Sequence, residues 1–237
     1  MQSRSGPGDA AIGNGNGALG AGGWSPALPQ GTPGGRCPMH IDYPTRSNRR
    51  ARIAREEELH LEALHEIKRL IPDYAKDVRI NLDSTIARSS LPAQEALGVA
   101  LAVAYAAKSP RLVTAFRAAL PEVEANAALT AAALMAMNNA WYPFVEMTGD
   151  AELKARPAQL RMQAYATHGG VDKRLFELFA LAASIVGKCH FCVQSHYTLL
   201  KESGMSVDQL RDVGRIVAVT AAAANAIAVE SEQIATA

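Results

Sequence analysis

The apolar positions of this chain recur with a helical period over almost the whole region after residue 50. Between Ala54 and Ile71 they follow a spacing close to the helical period, as on the buried face of an amphipathic helix. These positions are Leu59, Leu61, Leu64, Ile67, Leu70 and Ile71. No stretch of the sequence alternates apolar and polar residues long enough to indicate a β-strand. The pattern therefore predicts an all-α fold in which helices pack on helices.

Prolines divide this helical region into segments. Pro72 separates the first helix from a short second one in "DYAKDVRINL". We expect Pro92, Pro110 and Pro121 each to begin a further helix, because proline lacks only an N–H that the first helical position leaves unpaired anyway. The segment "WYPFVEMTGD", residues 141–150, carries proline and glycine and is predicted to be the longest irregular piece.

The last three helices have clear ends in the sequence. One is predicted over Asp172–Val186. The next carries two cysteines and runs to Ser203, and Gly204 is suited to the left-handed conformation that closes many helices. Ser206 and Gln209 have the spacing of a capping box, in which each side chain accepts a hydrogen bond from the other residue's backbone N–H.

The first 50 residues differ in composition from the rest. Eleven of the 18 glycines lie in residues 1–35, which cannot bury enough apolar surface to offset the entropy lost on ordering. We predict a disordered Gly-, Pro- and Arg-rich tail over residues 1–50, and one all-α domain over residues 51–237. Cys37 lies in this tail and is expected to have no catalytic role. Several arginines follow between residues 46 and 55. We expect them to lie in a solvent-exposed segment that leads into the first helix, rather than to contact nucleic acid.

Charge and hydropathy give no sign of nucleic acid or membrane as a partner. The formal net charge is only +1. The longest apolar stretch, Ile216–Val229, is shorter than the roughly 20 residues that span a bilayer, and Thr220 and Asn225 interrupt it, so a buried helix is predicted. The N-terminus lacks the layout of a signal peptide. Three cysteines without such a signal favour a cytoplasmic protein with reduced or catalytic thiols.

The segment "GKCHFCVQSHY", residues 187–197, concentrates the candidate chemistry. On a helix Cys189, Cys192 and His196 share one face. β-Carbons three residues apart lie about 5 to 6 Å from each other, whereas a disulfide needs about 3.5 to 4.5 Å. The pair can therefore close if Cys189 lies in a looser first turn, which Gly187 permits. The nearby helix N-terminus favours the thiolate form of a cysteine.

Glu177 is the candidate partner of His196. If Gly187 marks a reversal between antiparallel helices, Glu177, ten residues before it, and His196, nine after it, meet beside Cys192. An imidazole that takes the thiol proton, oriented by a carboxylate, is a common way to make a thiolate. Glu177 lies in the apolar run "LFELFALAAS", where an unpaired acid would be costly to bury. Simple surface exposure of Glu177 is the alternative.

Other interpretations of the two cysteines stay open at this point. They can be small core side chains. They can bind zinc with His196 and either His190 or Glu177, although structural zinc sites usually recruit a second ligand pair from elsewhere, and His190 projects about 100° away from Cys189. A thioredoxin-type motif would follow a β-strand, and none is predicted there. A lone histidine such as His168 is more often a surface residue than a ligand.

The arrangement of these residues resembles the alkylhydroperoxidase D (AhpD) family. The resemblance is carried first by Glu177, Cys189, Cys192 and His196 in "FELFALAASIVGKCHFCVQSHYTLL". Three further segments are similar to matching stretches of that family: "IPDYAKDVRINL", "LMAMNNAWY" and "RMQAYATHGGVDKRLFEL". The similarity runs from about Leu64 to the C-terminus and leaves the glycine-rich tail outside.

The resemblance implies a fold built from a repeated carboxymuconolactone decarboxylase-like helical unit, assembled as a homotrimer. It implies a thiol peroxidase that reduces organic hydroperoxides to alcohols without a bound cofactor or metal. The reductant would be the dihydrolipoyl group of a dihydrolipoyl acyltransferase, fed by dihydrolipoamide dehydrogenase. Family members also pass electrons to the peroxiredoxin AhpC, so a disulfide reductase with little peroxidase activity of its own is the alternative function.

The resemblance also implies a role for each residue of the site. Cys192 is the peroxidatic cysteine, which passes through a sulfenic acid, and Cys189 is the resolving cysteine and proton donor. The two then form a redox disulfide. Glu177 and His196 form the proton relay. One position departs from the family pattern, because Phe191 stands where members often have a histidine directly before the second cysteine.

Overall fold

The structure is a computed structural model that describes residues 46–235. The first helix begins at Arg46, so helical structure starts a few residues before the predicted boundary at residue 51. Residues 1–45, which include Cys37 and most of the predicted tail, lie outside the described residues. The disorder of that tail therefore stays a prediction.

The described residues form ten α-helices, joined by turns and two short 3-10 turns, and they contain no β-strand, which confirms the all-α prediction. The helices are α1 (Arg46–Leu70), α2 (Lys76–Ile86), α3 (Ala93–Ala106), α4 (Pro110–Ala118), α5 (Glu122–Thr148), α6 (Ala151–Ala155), α7 (Gln163–Ala166), α8 (Lys173–Val186), α9 (His190–Glu202) and α10 (Val207–Ala235). The 3-10 turns are Asp73–Ala75 and His168–Gly170.

The three prolines mark helix starts as predicted, with a difference of one residue at two of them. Pro110 is the first residue of α4. Pro92 and Pro121 instead stand one residue before α3 and α5, in the cap position. Their backbones are extended, and each carbonyl accepts the first helical hydrogen bond, at 3.0 Å from the N–H of Ala96 and Ala125.

The prediction of an irregular segment over residues 141–150 is wrong. Helix α5 continues through Pro143 to Thr148, and Gly149, with φ of 63°, closes it. A proline inside a helix removes one hydrogen bond and crowds one carbonyl. Here the helix packs against neighbours on both sides of that point, so tertiary contacts outweigh the local defect. The irregular segment lies later, between α6 and α7, over residues 156–162.

The core is formed where α3, α5 and α8 pack together. Every residue of α3 from Ala96 to Ala104 is buried. Most of these side chains are small, which allows the helix axes to approach closely: a β-carbon on Gly98 would lie 2.3 Å from the ring of Phe179. Helix α8 is thereby held deep in the fold, with Phe176 to Ser184 all buried.

Helix α10 packs along α2, α3 and α8. Val207–Glu230 is the one helical segment of the described residues that is long and apolar enough to span a membrane, with a mean hydropathy of 1.4. Half of its apolar window is buried inside the fold, as in a core helix. Ile216 and Thr220 are completely buried. This confirms the predicted buried helix along one face of Ile216–Val229.

The ends of the last three helices also follow the prediction. Asp172 caps α8 by accepting a hydrogen bond from the N–H of Leu175 at 3.0 Å. Gly204 adopts φ of 94° and follows Ser203, the C-cap of α9. Ser206 and Gln209 exchange hydrogen bonds of 2.9 and 3.2 Å, which confirms the capping box at the start of α10.

Candidate active site

A tight reversal joins α8 to α9 and positions the two cysteines. Helix α8 closes at Gly187, and Lys188, with φ of 54°, turns the chain. A β-carbon on Gly187 would lie 2.1 Å from the amide nitrogen of Asn139, so only glycine fits against α5 here. That amide donates a hydrogen bond to the carbonyl of Ala183 at 3.1 Å. The reversal is therefore held in place by contacts with α5 as well as with α8.

Cys189 and Cys192 form a disulfide. Cys189 is the N-cap of α9 and has an extended backbone, so the predicted looser start of the helix is confirmed. The Cα atoms are 5.3 Å apart. The backbone N–H of Cys192 donates to the sulfur of Cys189 at 3.3 Å. Both cysteines are buried, so their reaction partners must reach them through a cavity.

Glu177 and His196 meet as the antiparallel arrangement of α8 and α9 predicts. Oε2 of Glu177 lies 2.6 Å from Nδ1 of His196. Glu177 is 1% exposed and His196 is 5% exposed, so the alternative of a solvent-exposed Glu177 is wrong. Since the carboxylate accepts a hydrogen bond from Nδ1, any proton exchange at His196 takes place at the other nitrogen, Nε2. His196 lies one turn after Cys192 on the same face of α9.

The second oxygen of Glu177 is also occupied. The hydroxyl of Tyr165, on α7, donates a hydrogen bond to Oε1. Burial is the largest influence on the pKa of Glu177 and raises it, but the hydrogen bonds from His196 and Tyr165 and the charges of His196 and Lys173 bring the pKa below its ordinary value. The pKa of Tyr165 is raised, first by burial and then by Glu177. Tyr165 therefore stays protonated and Glu177 stays ionised at neutral pH.

Helix α5 supplies the wall opposite the cysteine helix. Nε2 of His196 lies 3.2 Å from the sulfur of Met135, which is completely buried. The backbone carbonyl of Asn138 lies 4.0 Å from the sulfur of Cys189. With Asn139, these residues come from the segment "LMAMNNAWY".

Tyr165, Met135 and Asn139 are site residues that the sequence analysis did not assign. A signal for them was present, since each lies in a segment that resembles the AhpD family. No helical spacing relates them to the cysteines, because they reach the site through tertiary packing.

A cavity of about 350 Å³ opens onto this site. It is lined by Asn138, Tyr142, Met162, Tyr165, Ala166, Phe191, Cys192, Ser195 and His196. Cys192 therefore faces a space of the size that a small molecule needs, whereas Cys189 lies behind it.

The two residues between the cysteines contact side chains of α5. The ring of Phe191 stacks on Tyr142, with centroids 4.4 Å apart. His190 is exposed and pairs with Glu146 at 3.0 Å, so it does not take the place of the family's histidine. The ring centroid of His168 lies 6.4 Å from that of Tyr165, and His168 does not contact the cysteines.

The zinc alternative finds no geometric support within residues 46–235. In that range no three His, Cys, Asp or Glu side chains come together as ligands of one metal ion. The two cysteine sulfurs are bonded to each other. Of the two residues considered as fourth ligand, His190 is exposed and pairs with Glu146, and Glu177 pairs with His196.

Comparison with known proteins gives a consistent result. The model of the carboxymuconolactone decarboxylase family matches residues 151–231, which contain α8, α9 and most of α10. Alkyl hydroperoxide reductase AhpD of Bradyrhizobium sp. (strain BTAi1) is 41% identical over 169 residues, 70% of this chain and 93% of the relative. The AhpD proteins of Rhodospirillum centenum and Streptomyces avermitilis are 39% and 40% identical, over 71% of this chain in both cases and over 92% and 97% of their own lengths. This chain therefore belongs to the AhpD family of alkyl hydroperoxide reductases.

Proposed function

We propose that this protein reduces organic hydroperoxides to alcohols through a dithiol–disulfide cycle of Cys189 and Cys192. The observation that carries the proposal is the position of Cys192. Cys192 lines a cavity together with His196, and His196 is hydrogen-bonded to the buried carboxylate of Glu177. The sulfur of Cys192 is bonded to the sulfur of Cys189. The similar proteins are named alkyl hydroperoxide reductases.

Thiolate formation at Cys192 has two sources of support. His196 accepts the thiol proton, and Glu177 stabilises the resulting imidazolium ion across the 2.6 Å contact. Cys192 is also the third residue of a 13-residue helix, so its sulfur lies near the positive end of the helix dipole. A thiolate at this position is therefore favoured at neutral pH.

The reaction then proceeds by two displacements. The Cys192 thiolate attacks the distal oxygen of the hydroperoxide: an S–O bond forms, the O–O bond breaks, and the leaving alkoxide takes a proton to become the alcohol. Cys192 is now a sulfenic acid. The Cys189 sulfur attacks the Cys192 sulfur, the S–O bond breaks, and hydroxide leaves as water with the proton from Cys189. The product is the disulfide that the structure contains.

A dithiol must reduce this disulfide to complete the cycle, and we propose a protein-bound dihydrolipoyl group. One dihydrolipoyl sulfur attacks the disulfide to give a mixed disulfide, and the second closes the lipoyl ring and releases both cysteines as thiols. Dihydrolipoamide dehydrogenase would then reduce the lipoyl group again. This choice of reductant rests on the family resemblance. The homotrimer, the cytoplasmic location and electron transfer to AhpC also stay predictions.

A coupled assay tests the proposed function. With dihydrolipoamide, its dehydrogenase and NADH present, cumene hydroperoxide should cause steady oxidation of NADH. Cys192→Ser should abolish this turnover, because serine has no thiolate to attack the peroxide, and Cys37→Ser is the matched control that should retain it. Full activity of Cys192→Ser would refute the proposal. Turnover that begins only when a peroxiredoxin is added would favour the alternative role of electron carrier.

A further inference from the structure

The proposed reaction leaves negative charge on an oxygen atom of the substrate, which calls for a hydrogen-bond donor. When the Cys192 thiolate breaks the O–O bond, the electron pair stays on the leaving oxygen, which becomes a basic alkoxide. Hydrogen-bond donors directed at such an oxygen are among the largest contributions to catalysis. We propose that the side-chain amide of Asn138 is this donor, so that Asn138 is a further catalytic residue. This role rests on the proposed function and adds a residue to the same step.

Five polar side chains besides Cys192 line the smaller cavity, and two of them are already engaged. The five are Asn138, Tyr142, Tyr165, Ser195 and His196. The hydroxyl of Tyr165 donates to Glu177. His196 is hydrogen-bonded to Glu177 at Nδ1 and has the sulfur of Met135 beside Nε2. The three others therefore remain as candidates for the donor to the leaving oxygen.

The amide of Asn138 has a hydrogen atom to donate. Its Nδ2 donates a long hydrogen bond to the sulfur of Met135, at 3.8 Å. A thioether is a weak acceptor, and an amide nitrogen carries two hydrogens, of which only one can point at that sulfur. In the part of the chain that the structure describes, the Asn138 side chain makes no other hydrogen bond. One N–H group is therefore available to an oxygen atom in the cavity.

Asn138 also lies beside the groups that react. Its backbone carbonyl is 4.0 Å from the sulfur of Cys189. Its amide nitrogen and Nε2 of His196 contact the same atom, the sulfur of Met135, at 3.8 and 3.2 Å. Because the two nitrogens share one neighbour, the amide lies near the nitrogen that takes the proton of Cys192. An oxygen atom bound by Asn138 is therefore within the region to which this proton must return.

The two other candidates are less well placed. Tyr142 stacks on Phe191, which is 56% exposed, and both rings also line a second cavity of about 890 Å³. Helices α5, α6 and α9 and the segment after α6 form that second cavity. Ser195 is an exposed residue of α9. Asn138 lines only the cavity that contains Cys192, so its position favours it over the two hydroxyl groups.

Asn138 acts while the O–O bond breaks. His196 takes the proton of the Cys192 thiol, and the thiolate attacks the distal oxygen of the hydroperoxide. The electron pair of the O–O bond moves to the leaving oxygen, which accepts a hydrogen bond from Nδ2 of Asn138. The proton held by His196 then passes to this oxygen and completes the alcohol. Cys192 is oxidised to the sulfenic acid, and the hydroperoxide is reduced by two electrons.

Single-turnover oxidation of the reduced protein by cumene hydroperoxide tests this role. Asn138→Ala should lower the second-order rate constant on the order of 100-fold, as for the loss of one oxyanion donor. Alanine is a good helix former, so α5 should stay folded. With peracetic acid, whose leaving group is the weakly basic acetate, the loss should stay within about threefold. Asn126→Ala, at an exposed asparagine of the same helix, is the matched control and should change neither rate.

Alkylation of Cys192 by iodoacetamide separates this role from an effect on the cysteine itself. Alkylation needs the thiolate but releases no alkoxide, so Asn138→Ala should leave its rate within about twofold. Tyr142→Phe and Ser195→Ala remove the two other candidate donors. Each should slow the reaction with cumene hydroperoxide less than Asn138→Ala does.

The outcomes distinguish failure of this proposal from failure of the proposed function. An unchanged rate with cumene hydroperoxide in Asn138→Ala would overturn the assignment of Asn138. So would an equal loss with peracetic acid or in alkylation, because either result would place the effect on the thiolate. A larger effect of Tyr142→Phe or Ser195→Ala would assign the donor to that residue instead. If the unaltered protein consumes no hydroperoxide, the proposed function itself is contradicted.

Discussion

Glu177 is a buried carboxylate that keeps its charge because both of its oxygens are hydrogen-bonded. Burial alone would favour the neutral acid. His196 binds Oε2 and Tyr165 binds Oε1, and together with nearby positive charge they lower the pKa of Glu177 below its ordinary value. An ionised Glu177 can stabilise an imidazolium ion at His196 and thereby a thiolate at Cys192. The hydrogen bonds and charges of Glu177, His196 and Tyr165 lead us to two predictions.

Glu177→Gln should slow alkylation of reduced Cys192 by iodoacetamide near neutral pH by about tenfold, the effect of one pKa unit on the thiolate fraction. Glutamine has nearly the same shape but no charge to stabilise His196. The rate should be measured with Cys37→Ser and Cys189→Ser also present, so that Cys192 is the only thiol. Glu95→Gln is a suitable control, since Glu95 is a partly buried carboxylate paired with Arg174 away from the cysteines. An unchanged alkylation rate would remove Glu177 from the relay.

Tyr165→Phe should shift the pH dependence of that alkylation. The substitution removes one hydrogen bond that lowers the pKa of Glu177, whereas burial, which raises this pKa, remains. The pKa of Glu177 in the folded protein should therefore rise, and the acid limb of the rate profile should move to higher pH. Tyr105→Phe, at a half-exposed tyrosine of α3, provides the control. A loss of stability without any shift of the acid limb would limit Tyr165 to a structural role.

At the scale of elements, the site depends on how α8 and α9 are joined and held against α5. The reversal needs a residue without a β-carbon at Gly187, because the side chain of Asn139 fills that space. Only this close approach brings Glu177, on one helix, to His196 on the other. The pair of antiparallel helices is therefore as necessary to the relay as the side chains themselves.

Gly187→Ala should destabilise the protein by about 1 to 3 kcal/mol, the range for an added methyl group in a close-packed site. Gly214→Ala is a matched control: it lies inside α10, and a β-carbon there would meet no atom within 4 Å. Replacing a helical glycine in open space should stabilise the fold by about 0.5 to 1 kcal/mol. Urea denaturation measures both changes. Equal effects of the two substitutions would contradict the steric argument.

At the scale of the whole molecule, one core supports the site. Helix α1 closes this core from one side with buried Leu64 and Ile67. Helix α10 closes it with Ile216, Ala223 and other apolar residues of one face. The core is formed entirely from residues after Arg46 in the part of the chain that the structure describes.

Removal of residues 1–45 should leave kcat/KM for cumene hydroperoxide within about twofold, because the described core and site contain none of these residues. A chain that begins at Pro72 should lose stability as well as activity, since deletion of α1 uncovers the surface that Leu64 and Ile67 bury, at about 1.5 to 3 kcal/mol for each such side chain. Thermal unfolding and the coupled assay distinguish the two chains. A loss of activity in the chain that begins at Arg46 would show that the N-terminal segment contributes to function.

The helical class, the ends of the last three helices and the pairing of Glu177 with His196 were all determined by the sequence alone. The physical reason is that these features depend on local spacing: three and four residues for a helix face, and equal distances from Gly187 for two antiparallel helices. Tertiary structure alone decided that α5 continues through Pro143, because packing outweighs one lost hydrogen bond. It also brought Tyr165 and Met135 to the relay and shaped the two cavities beside Phe191. Such contacts join residues that are far apart in the chain, so no local hydrophobic pattern predicts them.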